Sequence, residues 1–154
     1  MSDKALSILD AIETILTTET ATGETLEDVN SFFVLRTSAD TPPEFGSLTP
    51  VLIVSLQPMT AERIFLSSSS MQKTQPVRFS LFTENAGDTE DAEAARLIDL
   101  VEDVFTGQTF DLSFHVETVS KDYTQATIPP FSGDWNGAAE LIMIHQYTDM
   151  RACT

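Results

Sequence analysis

Two stretches of the chain place apolar residues at i, i+1, i+4, i+7 and i+8, the spacing that gives an α-helix one apolar face. The first stretch predicts a helix that begins at a Ser2 or Asp3 cap and ends near Thr17. The second predicts a helix that follows a turn at 85–89 and ends at Gly107. The residues of the two stripes are Ile8, Leu9, Ile12, Ile15 and Leu16, and Leu97, Ile98, Val101, Val104 and Phe105.

Elsewhere the pattern is typical of β-strands. The run at 51–56 is almost entirely apolar or β-branched, which predicts a central strand covered on both faces. The run at 138–147 is apolar on both alternating sets, which predicts a central or interface strand. In the run 75–83, Val77, Phe79 and Leu81 point to one face. Runs of strands separated by isolated helices predict an α+β fold, with a mainly antiparallel sheet and two principal helices packed on one face. The remaining strand candidates are 30–37, 63–67, 112–118 and 123–128.

The rest of the chain predicts connections within one domain, residues 1–148, followed by a polar tail at 149–154. The threonine-rich segment 17–25 is predicted to be a loop. The polar segment 67–75 is predicted to be a protruding loop, either a plain connection or a binding arm whose contact groups are Met71 and Lys73. Trp135 lies in a turn-rich segment, either as a lid on the core or as an interface residue.

The charge excludes several classes of partner. Asp and Glu number 24 against 8 Lys and Arg, which gives a net charge of -16. This charge opposes binding to phosphate backbones and anionic lipid, and the basic residues are scattered along the chain. No unbroken apolar run exceeds four residues, so no membrane-spanning segment is predicted.

Recognisable catalytic chemistry is absent from the sequence. None of the common phosphate-binding, zinc-protease, serine-hydrolase or calcium-binding spacings occurs, and no cofactor or enzymatic activity is predicted. Cys153 is the single cysteine. Neighbouring strands could bring His115 and His145 together, but their positions show no ligand spacing, which favours structural or surface roles over a metal site.

The layout of the chain resembles the tail terminator proteins of tailed bacteriophages. Four features carry the resemblance: the N-terminal amphipathic helix at 5–16; the strand QPVRFSLFT at 75–83; the acidic helix with LIDLVEDVF at 97–105; and the Trp135-Asn136-Gly137 turn that leads into an apolar strand.

The resemblance implies a virion structural protein that is made in the host cytoplasm. Such proteins form a ring, expected here to be a hexamer, that caps the tail tube and joins it to the head–tail connector or stopper protein. DNA passes through the ring without specific binding, and acids such as Glu90, Asp91 and Glu93 are candidates for repelling it. No catalytic residue is implied.

Two alternatives stay open at this point. The chain could be another neck component, a stopper or an adaptor. It could instead be an acidic DNA mimic that inhibits a DNA-binding protein, an interpretation favoured by the net charge and the acidic helix. Residues 84–103 hold eight of the 24 acids, so the acids are unevenly spread, which is unlike a mimic with regularly spaced charges over its whole surface.

Overall fold

The computed structural model describes residues 3–36, 50–57, 60–63, 70–83, 88–106, 115–123 and 138–150. These residues form two helices and one six-stranded sheet. In chain order the elements are α1 (Asp3–Glu19), β1 (Ser31–Leu35), β2 (Val51–Leu56), β3 (Thr60–Arg63), β4 (Ser70–Phe82), α2 (Asp88–Phe105), β5 (His115–Asp122) and β6 (Ala138–Met150).

The sheet is organised around the pairing of its two longest strands. Strands β4 and β6 pair antiparallel from Ser70 opposite Met150 to Phe82 opposite Ala138. The strand order is β1-β2-β4-β6-β5, and β3 pairs with the same edge of β4 as β2 does. Only the β1–β2 pair is parallel among the described strands. The predicted α+β fold with a mainly antiparallel sheet is therefore confirmed.

Both helices bury their apolar stripes on the same face of the sheet, here called the helix face. Strands β2, β4 and β6 contribute alternate residues to this core, as strand geometry requires. The rings of Phe79 on β4 and Phe105 on α2 meet with centroids 5.1 Å apart. The fully buried members include Ile8, Leu9, Ile12, Leu16, Leu52, Val54, Val77, Leu81, Leu97, Ile98, Val101, Leu141 and Met143.

The middle of the sheet is covered on its opposite face as well. Val51, Ile53 and Phe82 are buried, although they alternate with the residues that meet the helices. This confirms the prediction that 51–56 is a central strand covered on both faces. The strand predicted at 138–147 also lies centrally, between β4 and β5.

Helix α1 extends further than its apolar stripe predicts. It continues to Glu19, so the loop predicted at 17–25 begins three residues too early. The hydroxyls of Thr14, Thr17 and Thr18 each donate to the carbonyl four residues earlier, within the helix. Gly23 follows with a φ of 89°, a left-handed conformation that glycine adopts readily.

The prediction of a protruding loop at 67–75 is wrong for 70–75, which are part of β4. All six residues pair with β6, and 71–74 also pair with β3. The pattern concealed this strand because its helix-face positions carry Lys73 and Gln75, which are buried in place of apolar residues. The polar tail predicted at 149–154 is also wrong for Asp149 and Met150, which belong to β6. Residues 67–69 and 151–154 lie outside the described residues.

Three other strand boundaries differ from those predicted. Strand β1 is shorter than 30–37, and β3 starts three residues before the predicted 63–67. Strand β5 begins within the predicted 112–118 but runs on to Asp122 through an irregularity at Val119, which the alternation does not reveal. Of the strand predicted at 123–128, only Tyr123 lies within the described residues.

Strands β2 and β3 follow each other along the same edge of β4, with a change of register between them. The pairing passes from Leu56 opposite Val77 to Thr60 opposite Thr74, which leaves one extra residue on the β2–β3 side. The buried amide of Gln75 bridges this point, since its Nε2 donates to the carbonyl of Gln57 at 2.8 Å and to that of Pro76 at 2.7 Å. The side chain thus satisfies backbone acceptors beside the irregularity.

We expect Gln75→Leu to lower the free energy of unfolding by about 1–3 kcal/mol, because it leaves the partly buried carbonyl of Gln57 without the donor that Gln75 supplies. The control is Gln57→Leu, since only the backbone of Gln57 takes part in these bonds. That variant should change stability by about 0.5 kcal/mol or less. Urea unfolding curves compare the two, and equal losses would contradict the bridging role.

Candidate functional surface

Charged side chains of the described part gather into three clusters, each with one cation between two carboxylates. The Arg36 cluster joins α1 to the end of β1. Arg36 Nη2 donates to Asp10 Oδ1 at 2.9 Å and also to Glu13 Oε2. Asp10 and Glu13 are three residues apart and so share one face of α1. Hydrogen bonds from Glu13 and Asp10 raise the pKa of Arg36 above its usual value.

The Arg96 cluster attaches the first half of α2 to the segment between α1 and β1. Arg96 binds Glu93 through two hydrogen bonds, Nη2 to Oε1 at 2.7 Å and Nε to Oε2 at 3.2 Å. Its Nη2 also donates to Asp28 Oδ2 at 2.8 Å. These bonds raise the pKa of Arg96, with Glu93 the larger cause. All three side chains are partly exposed, so solvent screens the pairing.

The Lys121 cluster attaches the second half of α2 to β5. Lys121 Nζ donates to Glu102 Oε1 at 2.8 Å and to Asp99 Oδ1 at 2.9 Å. Thr118 donates its hydroxyl to Glu102 Oε2 at 2.6 Å, and Tyr123 donates to Asp99 at 3.1 Å. Lys121 and Glu102 are both less than one quarter exposed, which makes this the most buried of the three clusters.

These contacts shift two pKa values in the Lys121 cluster. The hydrogen bond to Glu102, followed by that to Asp99, raises the pKa of Lys121. The hydrogen bonds from Lys121 and then Thr118 lower the pKa of Glu102. Both shifts favour the charged forms, so Lys121 and Glu102 are both ionised near neutral pH.

The remaining cations with described side chains are also engaged or buried. Arg78 lies on the face of the sheet opposite the helices, with its Nε 3.8 Å from Glu140 Oε2. Lys73 is only 5% exposed. Each of the five cationic side chains that the structure describes is therefore either bound to a carboxylate or buried. Phosphate contacts normally come from exposed Lys and Arg donors, and those of Arg36 and Arg96, although partly exposed, already bind carboxylates of the same chain.

The predicted DNA-repelling acids all lie on α2. Glu93 is half-buried and belongs to the Arg96 cluster, so its charge is partly neutralised by its neighbour. Glu90 and Asp91 lie in the first turn of the helix, but their side chains are outside the part of the chain that the structure describes. Asp103, which no prediction singled out, is an exposed acid on the last turn.

The predicted interface residues do not form one group in the described part. Met71 lies in β4 opposite Arg63 and Asp149, but its side chain is outside the part of the chain that the structure describes. Lys73 is buried within the subunit and is not displayed on an arm. Trp135 lies outside the described residues. Their roles as contacts between subunits stay predictions.

The two histidines lie on neighbouring strands. His115 begins β5 and His145 lies in β6, where its Cα partner on β5 is Val116. His145 is completely buried, and this burial lowers its pKa to about 4. Among the residues that the structure describes, no three His, Cys, Asp or Glu side chains are grouped so that they could hold a metal ion.

Sequence reasoning identified the acidic face of α2 but not its contacts. Asp99 and Glu102 were visible as helix acids three residues apart, a spacing that can hold one cation. Their partner Lys121 could not be inferred, because it lies beyond the end predicted for its strand. The sequence did not indicate a role for Asp28 either, because its bond to Arg96 depends on how the chain after α1 packs beside α2.

Comparison of the sequence with protein-family models finds no match, and comparison with curated proteins finds none either. Within the described ranges, neither helix is long and apolar enough to cross a membrane.

We expect Lys121→Met to lower the free energy of unfolding by about 1–2 kcal/mol at pH 7, because it leaves two partly buried carboxylates without their cation. Arg96→Met is the matched control and should cost about 0.5 kcal/mol, since that cluster is more exposed. Denaturation at low salt measures both. A larger loss for Arg96→Met would contradict the ranking by burial.

The same cluster predicts a dependence on pH. Because the folded-state pKa of Glu102 is lowered, its contribution is present above its unfolded pKa of about 4.3 and is lost as the pH falls through the folded value. Glu102→Gln should therefore be less stable than the wild type at pH 6, with the difference narrowing towards pH 3. A difference that stays constant with pH would contradict this assignment.

Proposed function

We propose that this chain is a virion structural protein of a tailed bacteriophage, a tail terminator whose copies form a ring at the end of the tail tube. The ring, expected to be a hexamer, joins the tube to the head–tail connector or stopper protein and lets DNA pass. The proposal rests on the resemblance in layout to tail terminators and on the distribution of charge over the described surface. It assigns no catalytic residue and no cofactor.

The observation that carries the proposal is the engagement of the cations. Arg36, Arg96 and Lys121 each donate to two carboxylates of the same chain. A phosphate that approached any of them would have to displace these carboxylates against the repulsion of the surrounding acids. Such a surface suits a protein that lies close to DNA without holding it, which is what a channel for DNA passage requires.

The fold is compatible with a subunit of a ring. Both helices lie on one face of the sheet, and the ion clusters fix α1 and α2 to the elements beside them. A subunit whose helices are fixed in this way can present the same surfaces in every copy, as a closed symmetric ring requires. Which surfaces form the contacts stays a prediction, with Met71 and Trp135 as candidates.

Assembly is tested by native mass spectrometry of the purified full chain, alone and mixed with tail tubes, together with electron microscopy of the tubes. We expect a ring in solution, or density for the protein at one end of each tube. A chain that stays monomeric and leaves tube ends bare would overturn the proposal. Binding to an isolated connector but not to tubes would favour the stopper or adaptor alternative.

The role of the engaged cations is tested by freeing one of them. The double variant Glu93→Ala, Asp28→Ala removes both partners of Arg96. The matched control, Asp103→Ala with Glu24→Ala, removes two exposed acids outside the ion clusters and changes the net charge equally. In duplex-DNA gel shifts at about 50 mM salt, we expect no binding by the wild type and roughly fivefold tighter binding by the first variant than by the control.

Equal binding by the two double variants would show that total charge alone excludes DNA. It would contradict the role assigned to the engaged cations. Tight binding of duplex DNA by the wild-type ring at low salt would contradict free passage of DNA. Ion-paired acids are also unfavourable for the DNA-mimic alternative, because a mimic must present carboxylates to its target's cations and here six of them already hold the chain's own.

A further inference from the structure

The face of the sheet away from the helices carries a group of apolar side chains that are only partly buried. They alternate along their strands with residues of the core, and each keeps part of its surface exposed. Apolar side chains gathered on a partly exposed surface are typical of an interaction site. We call this group, together with Arg78 among them, the outer patch; its apolar members are Phe33 and Leu35 on β1, Pro76 on β4, and Ile142 and Ile144 on β6.

Arg78 lies at the centre of the outer patch. The strand register places it in one row with Leu35, Ser55 and Ile142. Its side chain is 18% exposed, and its Nε is buried without a hydrogen-bond partner. The carboxylate of Glu140 lies 3.8 Å from this Nε, which is close enough for an ion pair but too far for a hydrogen bond. The guanidinium therefore keeps N–H donors for another acceptor.

This arrangement differs from that of the three ion clusters. Arg36, Arg96 and Lys121 each donate hydrogen bonds to two carboxylates, whereas no described carboxylate accepts one from Arg78. Ser80, two residues along β4 on the same face, is fully buried, and its hydroxyl has no hydrogen-bond partner in the structure either. Because buried polar groups are nearly always paired in folded proteins, a single copy leaves the polar groups at the centre of this face incompletely satisfied.

The charge of the chain indicates which partner suits this face. Two copies of net charge -16 repel each other, and they do so least where they meet through surfaces with few charges. Within the outer patch the charge of Arg78 is balanced by Glu140, and a further acid, Glu117, lies at its rim on β5, opposite Ile144. Acids outnumber cations by 24 to 8, so a neighbouring copy has carboxylates beyond those that its own cations hold.

We propose that the outer patch is the surface through which one copy of this chain binds the next, with Arg78 donating to a carboxylate of the neighbour and the apolar side chains packing around it. The inference rests on the proposed ring, because it names the surface that would join its subunits. Interfaces between proteins are enriched in arginine and aromatic residues and have polar rims, which is the composition of this face. In a ring the contact is head-to-tail, so the neighbour's carboxylate comes from a different surface of the chain.

The apolar part of the outer patch is tested by sedimentation velocity of the full chain over a range of concentrations, alone and with tail tubes. Ile144→Asp places a charge in the patch, and we expect it to weaken association by roughly thirtyfold. Leu6→Asp is the matched control and should associate as the wild type does, since Leu6 is 40% exposed on α1, away from the patch. Ile144→Thr is the second variant should the aspartate fail to fold, and it should weaken association by about fivefold.

The role of Arg78 is tested in the same experiment. Arg78→Met keeps the apolar stem but removes the donors, and we expect it to weaken association by about tenfold. Arg78→Lys keeps the charge without the planar fork and should weaken it by only about threefold. Arg96→Met is the control and should associate as the wild type does, because Arg96 already binds carboxylates of its own chain.

A ring that assembles equally well in Ile144→Asp and Arg78→Met would overturn this inference and leave the proposed ring intact. Dimers that are lost in both variants would support the inference while overturning the ring. Variants that form rings but no longer bind tubes would place the patch against the tube and overturn the inference. So would variants that lose stability in urea without losing association, because the chain itself would then cover the patch. A wild type that stays monomeric with and without tubes would overturn both proposals.

Discussion

The pairing of β4 with β6 is the contact on which the rest of the structure depends. Strands β2 and β3 attach to β4, β5 attaches to β6, and helix α2 packs on residues of these two strands. Because side chains alternate between faces, a slip of one residue would turn Val77, Phe79 and Leu81 away from the helices. The burial of these residues therefore fixes the register, and the register places every other element.

The ion clusters act on top of this arrangement and do not create it. Helix α2 is held on the sheet mainly by its apolar stripe, since exposed ion pairs contribute little to stability. The clusters orient the helix, because Arg96 links its first half to the chain after α1 and Lys121 links its second half to β5. They also lower repulsion within a chain of charge -16 by placing cations between the acids that lie closest together.

The parts of the fold with a clear apolar period were predictable from the sequence. The stripes of both helices, the central strand 51–56 and the inward set Val77, Phe79 and Leu81 lie as the pattern indicates. Residues 70–74 of β4 were missed, because the inward Lys73 gives no hydrophobic alternation before the predicted strand 75–83. An alternating hydrophobic pattern reveals a buried strand only where the buried side chains are apolar. A strand that buries polar side chains therefore has the sequence pattern of a loop.

The charged surface was predictable in its sign but not in its organisation. The acids of α2 can be read from helical spacing, whereas Arg96 on the helix also binds Asp28, 68 residues away, and Glu102 binds Lys121, 19 residues away. Contacts at such separations depend on the finished fold, and a single sequence does not encode them as a local pattern. The resemblance to tail terminators likewise rests on layout. The ion clusters support the function proposed from it only through the exclusion of DNA that we expect from them.

The two ends of the β4–β6 pair differ in what stabilises them. Towards Phe82 the helix face of the two strands is apolar, but beyond Val77 it holds Lys73, Gln75 and His145. Burying polar groups contributes less stability than burying apolar ones and ties what it contributes to their protonation and hydrogen bonding. Local opening begins where apolar contacts are fewest. The change from apolar to polar inward positions along the same pair of strands therefore separates an end with many apolar contacts from an end with few.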